Sequence, residues 1–369
     1  MPARRLAQLA APLRLYRGGV IEHPVVAYEC WGEPNEARDN TILIFTGLSP
    51  SAHAASSPED PKPGWWEPMI GEGRPIDTRR FFVVAVNSLG SPYGSSSPVS
   101  IDPVTGQRYG VDFPEIAVED IATAGREALR TLGIRRVAAV VGPSLGGMVV
   151  LAYCALFPGE VDNVVTISGA ARATPFAIAL RSLQRETVRS DPAWRGGNYS
   201  TGRGPRQGLR LARKLGTITY RSPQEWQQRF GRKRVAEPSG LPGDFRPQFE
   251  VESYLEHQAQ RFADTFDANC YLYLSRAMDQ FDLAEHGGSS LAAAFAKFRV
   301  RRALVLGVET DMLFTIDQQR EIAEHLRAAG VDVEFHAFPS LQGHDAFLVD
   351  HERFGHALQE FLDGIPASD

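Results

Sequence analysis

Gly142-Pro143-Ser144-Leu145-Gly146 sets a serine in the pattern G-x-S-x-G. Five small or β-branched apolar residues, 137–141, precede it, and an apolar run of helix length, 148–157, follows. Strand, sharp turn and helix is the context in which a serine hydroxyl is held out at the carboxyl end of a sheet. The turn strains the backbone there, and the first amides of the helix point at any oxyanion that forms. Gly142 and Gly146 suit that turn because side chains there would collide as strand and helix approach. The chemistry implied is nucleophilic attack by Ser144 on an acyl carbon. A glycine-rich chain also produces this pattern by chance, so the partners of the serine decide.

A serine hydroxyl is a weak nucleophile near neutral pH and needs a base that is itself oriented by a carboxylate. Asp311 lies just past the apolar segment 302–306, and His344 lies just past the segment 333–338. The chain order Ser, Asp, His is that of α/β-hydrolase sites, and each residue follows a strand, where parallel sheets place their active sites. Alone, Asp311 reads equally as a helix cap and His344 as a loop histidine. Together, Ser144, Asp311 and His344 read as a triad. Its oxyanion hole is expected from the backbone amides of Leu145 and of Leu48, in the loop after the segment 41–45.

The elements that must position these residues alternate. Segments 41–45, 81–86, 137–141, 161–168, 302–307 and 333–338 read as strands, with helices predicted at 115–132, 318–329 and 351–362. Such alternation implies a mostly parallel sheet with helices on both faces. An antiparallel opening hairpin is predicted from segments 13–16 and 25–30 around Arg17-Gly18-Gly19. From about residue 172 to 286 the periodicity is helical, at 177–188, 207–215, 223–230 and 251–263. Polar, Gly/Pro-rich loops at 196–208 and 232–243 separate these helices. The expected organisation is an α/β-hydrolase core, residues 1–170 and 295–369, with a helical lid at 171–294.

Composition narrows the function. The 369 residues are 43% hydrophobic and 22% charged, with a net charge of −5 and no basic block, which argues against a nucleic-acid partner. No apolar run reaches membrane-spanning length, and the first residues make a poor secretion signal. Cys30, Cys154 and Cys270 are too far apart for a redox or zinc motif and read as reduced thiols of a cytoplasmic protein. No dinucleotide or Walker loop is present. His351-Glu352 with His356 is one residue too long for a zinc helix, so no metal and no bound cofactor are expected.

Longer stretches carry a resemblance. Asn87-Ser-Leu-Gly-Ser91, Ser182-Leu-Gln-Arg-Glu186, Asp191-Pro-Ala-Trp-Arg-Gly-Gly197, Ala212-Arg-Lys-Leu-Gly-Thr-Ile-Thr-Tyr-Arg-Ser222 and Gln342-Gly-His-Asp-Ala-Phe347 resemble the homoserine O-acetyltransferase family, of α/β-hydrolase fold. The resemblance implies acyl transfer from an acyl-CoA co-substrate to an amino-acid hydroxyl by a ping-pong route through acyl-Ser144. It assigns the amino-acid carboxylate to Arg213 and the ammonium to Asp345, a sensible split for a zwitterion. A homodimer formed through the lid, as in family members, is also implied. Where the homoserine enzymes carry Leu-Thr-Gly after the first central strand, this chain has Leu48-Ser49-Pro50. A stiffer, bulkier loop favours an acceptor one methylene shorter, and the chain looks more like the family branch that acylates L-serine. The expected reaction is acetyl transfer from acetyl-CoA to L-serine, with L-homoserine as secondary acceptor. The alternatives are succinyl-CoA as donor, homoserine as the main acceptor, or an esterase or thioesterase using the same triad.

Overall fold

In a computed structural model, residues 2–236 and 247–366 are described. Eight strands form one sheet: β1 (Arg5–Gln8), β2 (Val25–Trp31), β3 (Thr41–Phe45), β4 (Phe82–Val86), β5 (Val137–Pro143), β6 (Val161–Ile167), β7 (Arg302–Val308) and β8 (Asp332–Phe338). Their order across the sheet is β1-β2-β4-β3-β5-β6-β7-β8. The first two strands run antiparallel to their neighbours, and every pairing from β4 to β8 is parallel. The central strands β3, β4 and β5 are buried at every residue, as β-branched runs covered on both faces must be.

Helices α1 (Val118–Thr131), α2 (Leu145–Leu156), α3 (Pro175–Arg189), α4 (Arg206–Tyr220), α5 (Pro223–Phe230), α6 (Glu250–Thr265), α7 (Ala268–Gln280), α8 (Leu291–Phe295), α9 (Ile316–Ala328), α10 (Ala346–Val349) and α11 (His351–Asp363) complete the described fold. Two apolar clusters flank the sheet. One joins α1, α2 and the helices after β6, and the other centres on Trp66, Met69, Phe354 and Phe361. The architecture expected from the alternation is therefore present.

The opening is not the hairpin expected. Leu13–Arg14 pairs only with Val20–Ile21, while Val25–Trp31 pairs with Arg5–Gln8 and enters the main sheet. The apolar character of 25–30 marks a strand but not its partner, because pairing is set by which neighbour buries it. The helical stretch between β6 and β7 comprises α3 to α8. The chain entering α3 and the chain leaving α7 meet in a bridge between Arg172 and Asp282, reinforced by the Leu283 amide donating to the Ala171 carbonyl at 2.8 Å. The expected loop at 232–243 extends past residue 236, outside the described residues.

Candidate active site

Parallel strands bring their carboxyl ends to one edge, so the loops after β3, β5, β7 and β8 converge. Ser144 follows β5 directly with φ 58° and ψ −119°, a left-handed backbone that a non-glycine residue adopts only under constraint. The Ser144 amide donates to the Ile167 carbonyl at 2.9 Å, and the Ser144 carbonyl accepts from the Met148 amide at 3.2 Å, locking the bend to β6 and α2. A side chain on Gly142 would strike the Gly146 carbonyl, and one on Gly146 the Phe45 carbonyl, so both glycines are obligatory for this approach.

Asp311 lies three residues beyond β7 and His344 six beyond β8. The His344 Nδ1–H donates to Asp311 Oδ2 at 2.7 Å, which leaves Nε2 to accept from the Ser144 hydroxyl at 2.8 Å. Asp311 Oδ1 accepts from the amides of Leu313 and Phe314 at 2.8 and 3.0 Å, fixing the carboxylate. Phe314 stacks on the imidazole, and Phe347 meets it edge-on. Thr310 ties the two loops together: its hydroxyl donates to the Ser340 carbonyl and accepts from the Gly343 amide. All three expected triad residues are thus joined in one buried relay that can move a proton from Ser144 to His344.

Burial pushes the His344 imidazole down, but the Asp311 charge and hydrogen bond, with Asp345 behind them, outweigh it and leave it above its ordinary value. A general base works unprotonated, so activity should climb with pH and level off only above ~6.5, the unperturbed histidine value. Asp311→Asn should cut kcat by roughly 10^4-fold through the wrong tautomer, and any residual activity should titrate at lower pH. A pH–rate profile of both forms checks this.

The triad opens into a cavity of about 120 Å³ lined by residues 47–50, Ser144, Leu180, Arg181, Gln184, Arg213, Tyr220, Tyr271, Phe314 and Asp345, among others. Leu48, Ser49 and Pro50 are among the residues that line it. A Cβ built on Gly47 would stand 3.7 Å from Pro50 Cδ and 3.9 Å from Ser144 Cβ, so the proline ring and the nucleophile flank the same narrow space. Leu145 is the first residue of α2, so its amide has no helical carbonyl to bond.

Arg213 projects from α4 into this cavity. Its flanking basic residues, Arg210 and Lys214, turn away to Glu256 on α6. Arg213 lies over the rings of Phe262 and Tyr220, its buried Nε has no partner, and no described carboxylate pairs with it. Asp345 is engaged differently. Its Oδ2 accepts from Arg221 Nε at 2.9 Å, and Arg221 also holds Glu225 at 2.7 Å. Glu225 also lies 3.9 Å from Arg229, so two guanidinium groups balance the two carboxylates, and no described residue hydrogen-bonds Asp345 Oδ1.

Sequence reasoning missed Arg181, Tyr220 and Tyr271 as cavity residues. Arg181 lies in the periodic stretch 177–188, Tyr220 lies past the stretch 207–215 and Tyr271 lies in α7, which the periodicity does not pick out; periodicity marks a helix face but not what that face encloses. Arg181 is buried, with Nε 2.5 Å from Asp279 Oδ1, while Arg185 holds the other oxygen of Asp279 at 2.5 Å. Two guanidinium groups share one carboxylate, so this cluster carries a surplus positive charge.

A strained serine, a buried His–Asp pair and a small cavity at the rim of a parallel sheet define the α/β-hydrolase class. The chain belongs to the alpha/beta hydrolase fold family, which it matches over residues 40–350. It is 58% identical to a serine O-succinyltransferase of Litchfieldella anticariensis over 98% of both chains. It is 54% identical to an L-serine/homoserine O-acetyltransferase of Streptomyces lavendulae over 98% of this chain and 97% of that one. The crystal structure of a homoserine O-acetyltransferase from Bacillus anthracis superposes with a TM-score of 0.88 at 26% identity, with both chains fully covered. Esterase E22 superposes at 0.87 and 29% identity, over 97% of this chain and 99% of that one. Within the fold family the chain is an acyltransferase.

Proposed function

We propose that this enzyme transfers an acyl group from an acyl-CoA to the side-chain hydroxyl of L-serine through an acyl-Ser144 intermediate, with L-homoserine as a poorer acceptor. One observation carries the reading: Arg213, a guanidinium that no described carboxylate pairs, shares a small cavity with the Ser144–His344–Asp311 relay. In the first half-reaction His344 takes the Ser144 proton, Ser144 attacks the thioester carbon, and the oxyanion rests on the amides of Leu145 and Leu48. The thiol of CoA leaves with the proton from His344. In the second, His344 takes the proton of the substrate serine hydroxyl, whose oxygen attacks the acyl carbon of the acyl-enzyme, and the Ser144 oxygen leaves with the proton from His344. Arg213 holds the α-carboxylate, and Asp345, through its unbonded oxygen, holds the ammonium.

For the donor, the surplus charge of Arg181 and Arg185 over Asp279 favours succinyl-CoA over the acetyl-CoA expected from the sequence. A distal carboxylate would balance that charge at the cavity wall, and an acetyl group would not. The name of the Litchfieldella relative supports this donor, and that of the Streptomyces relative supports acetyl. Thiol release decides, measured with each CoA ester and L-serine, L-homoserine or no acceptor. Fastest release from succinyl-CoA with serine is expected. Equal release without any acceptor would make the protein a thioesterase and overturn the proposal.

Pro50→Gly should widen the space beside Ser144. We expect the serine-to-homoserine ratio of kcat/KM to fall by roughly 10-fold, the worth of about one methylene. Paired kinetics on the two acceptors check it. No described helix is long and apolar enough to cross a membrane, and the three cysteines are free, which supports a cytoplasmic setting. Phe176 and Leu183 on α3, with Leu211 and Ile218 on α4, leave apolar side chains about half exposed. That face supports a homodimer formed through these helices, and sedimentation measures it.

A further inference from the structure

The loop after β3 carries the Leu48 amide, Ser49 and Pro50, yet, among the described residues, 47–51 make no backbone-to-backbone hydrogen bond. Something else must hold this arch in place. Its anchors lie at the far end. Trp65 donates its indole N–H to the Ser51 carbonyl at 2.9 Å and its amide to the His53 carbonyl at 3.3 Å. His53 itself is bound at both ring nitrogens, Nδ1 2.7 Å from Glu29 Oε2 and Nε2 2.8 Å from the Lys62 carbonyl.

These partners dictate the proton count. A backbone carbonyl only accepts, so Nε2 must carry a hydrogen. The bond at Nδ1 then needs a second hydrogen, either on the ring as an imidazolium or on Glu29 as a carboxylic acid. In both cases the pair keeps one proton more than a neutral imidazole beside a free carboxylate. Glu29, on β2, is 1% exposed, and its Oε1 has no partner, so water does not compete for the shared proton. Burial pushes the His53 ring down, but the bonds to Glu29 and Lys62, with the charges of Glu29 and Asp60, raise it overall. The thiol of Cys30, next to Glu29, is pushed up by burial and so stays neutral.

We infer that His53, clamped between Glu29 and the Lys62 carbonyl, is a positioning residue that fixes the oxyanion loop and aims the Leu48 amide at Ser144. The clamp joins β2 to the loop end, so the arch is held across the sheet rather than along its own backbone. His53 touches no reacting atom and acts only through Leu48. The inference rests on the reading of Leu48 as an oxyanion donor, and it does not depend on which donor or acceptor the enzyme uses.

The test measures acylation alone, with p-nitrophenyl acetate or succinate, using the full-length enzyme. His53→Phe should slow p-nitrophenol release by 10- to 100-fold while moving KM less than about three-fold, the pattern of weakened oxyanion stabilisation. Glu29→Gln can donate its amide N–H to Nδ1 of a neutral ring, keeping both bonds. It should therefore hold the rate within a few-fold and remove the alkaline loss of activity that deprotonation of the pair causes. Histidine-selective 15N NMR should show His53 titrating above ~6.5, the unperturbed value. A folded His53→Phe enzyme with the native acylation rate, or a His53 titrating at its ordinary value, overturns the inference. Should His53→Phe lose cooperative unfolding, an unchanged alkaline limb in Glu29→Gln overturns it instead. Loss of serine preference in the thiol assay would sink the proposed acceptor and leave this result untouched.

Discussion

Ser144→Ala is expected to abolish acyl transfer, lowering kcat by roughly 10^4-fold or more, because removing the nucleophile of a relay costs about as much as removing the whole relay. The fold should survive. Alanine keeps the Cβ that the tight bend already accommodates, and the backbone bonds to Ile167 and Met148 use none of the lost hydroxyl. The strain of φ 58°, on the order of 1–3 kcal/mol, is the same for both side chains. Two measurements check the expectation. Rapid-quench mass spectrometry of the native enzyme with acyl-CoA and no acceptor should show one added acyl group on the Ser144 peptide, and the variant should show none. A variant that still turns over with native kinetics would remove the acyl-enzyme from the mechanism.

Arg213→Ala is expected to have the second largest effect, and on a different parameter. A charge-assisted bond to a carboxylate is worth about 1.5–3 kcal/mol, so KM for the amino acid should rise roughly 10- to 100-fold. Acyl-enzyme formation should stay within a few-fold, since the role proposed for Arg213 falls in the second half-reaction. Arg213→Lys retains charge but not the planar fork and should recover only part of the affinity. The rival account is that Arg213 merely stacks on Phe262 and Tyr220. That account expects a lower unfolding midpoint with an unchanged KM, so steady-state kinetics beside thermal unfolding separate the two.

The two variants also bear on how this site divides its labour. The relay needs no charge from the substrate, whereas the cavity is arranged around charge left over. No described carboxylate pairs with Arg213, and Arg181 and Arg185 share Asp279, whereas Asp345 and Glu225 are balanced by Arg221 and Arg229. Buried surplus charge of this kind is costly until a partner arrives. The proposed zwitterionic acceptor would bring a carboxylate to this positive charge, which would turn the relay of an esterase from water towards an amino acid.

Much of this was legible in the residues. The β-branched run 137–141 followed by G-x-S-x-G could form little else than a strand and a sharp turn, because glycine alone tolerates contacts as close as those at Gly142 and Gly146. Asp311 and His344 were found because the strand pattern placed each just past a carboxyl end, and parallel pairing then puts those ends on one edge. Pairing partners were less legible. The segment 25–30 joined Arg5–Gln8 rather than 13–16, since apolar character names a buried strand and not the neighbour that buries it.

Local sequence determined the nucleophile bend, the relay residues and the layered α/β architecture, because each depends on steric rules acting within a few residues or on strand direction. Tertiary structure alone decided which charges are paired. Arg221 took one oxygen of Asp345, Asp279 took Arg181 and Arg185, and Glu29 with the Lys62 carbonyl took both nitrogens of His53. Those pairings join residues on different elements, most of them far apart in the chain. The balance of buried charge is a sum over neighbours that exists only once the chain has folded.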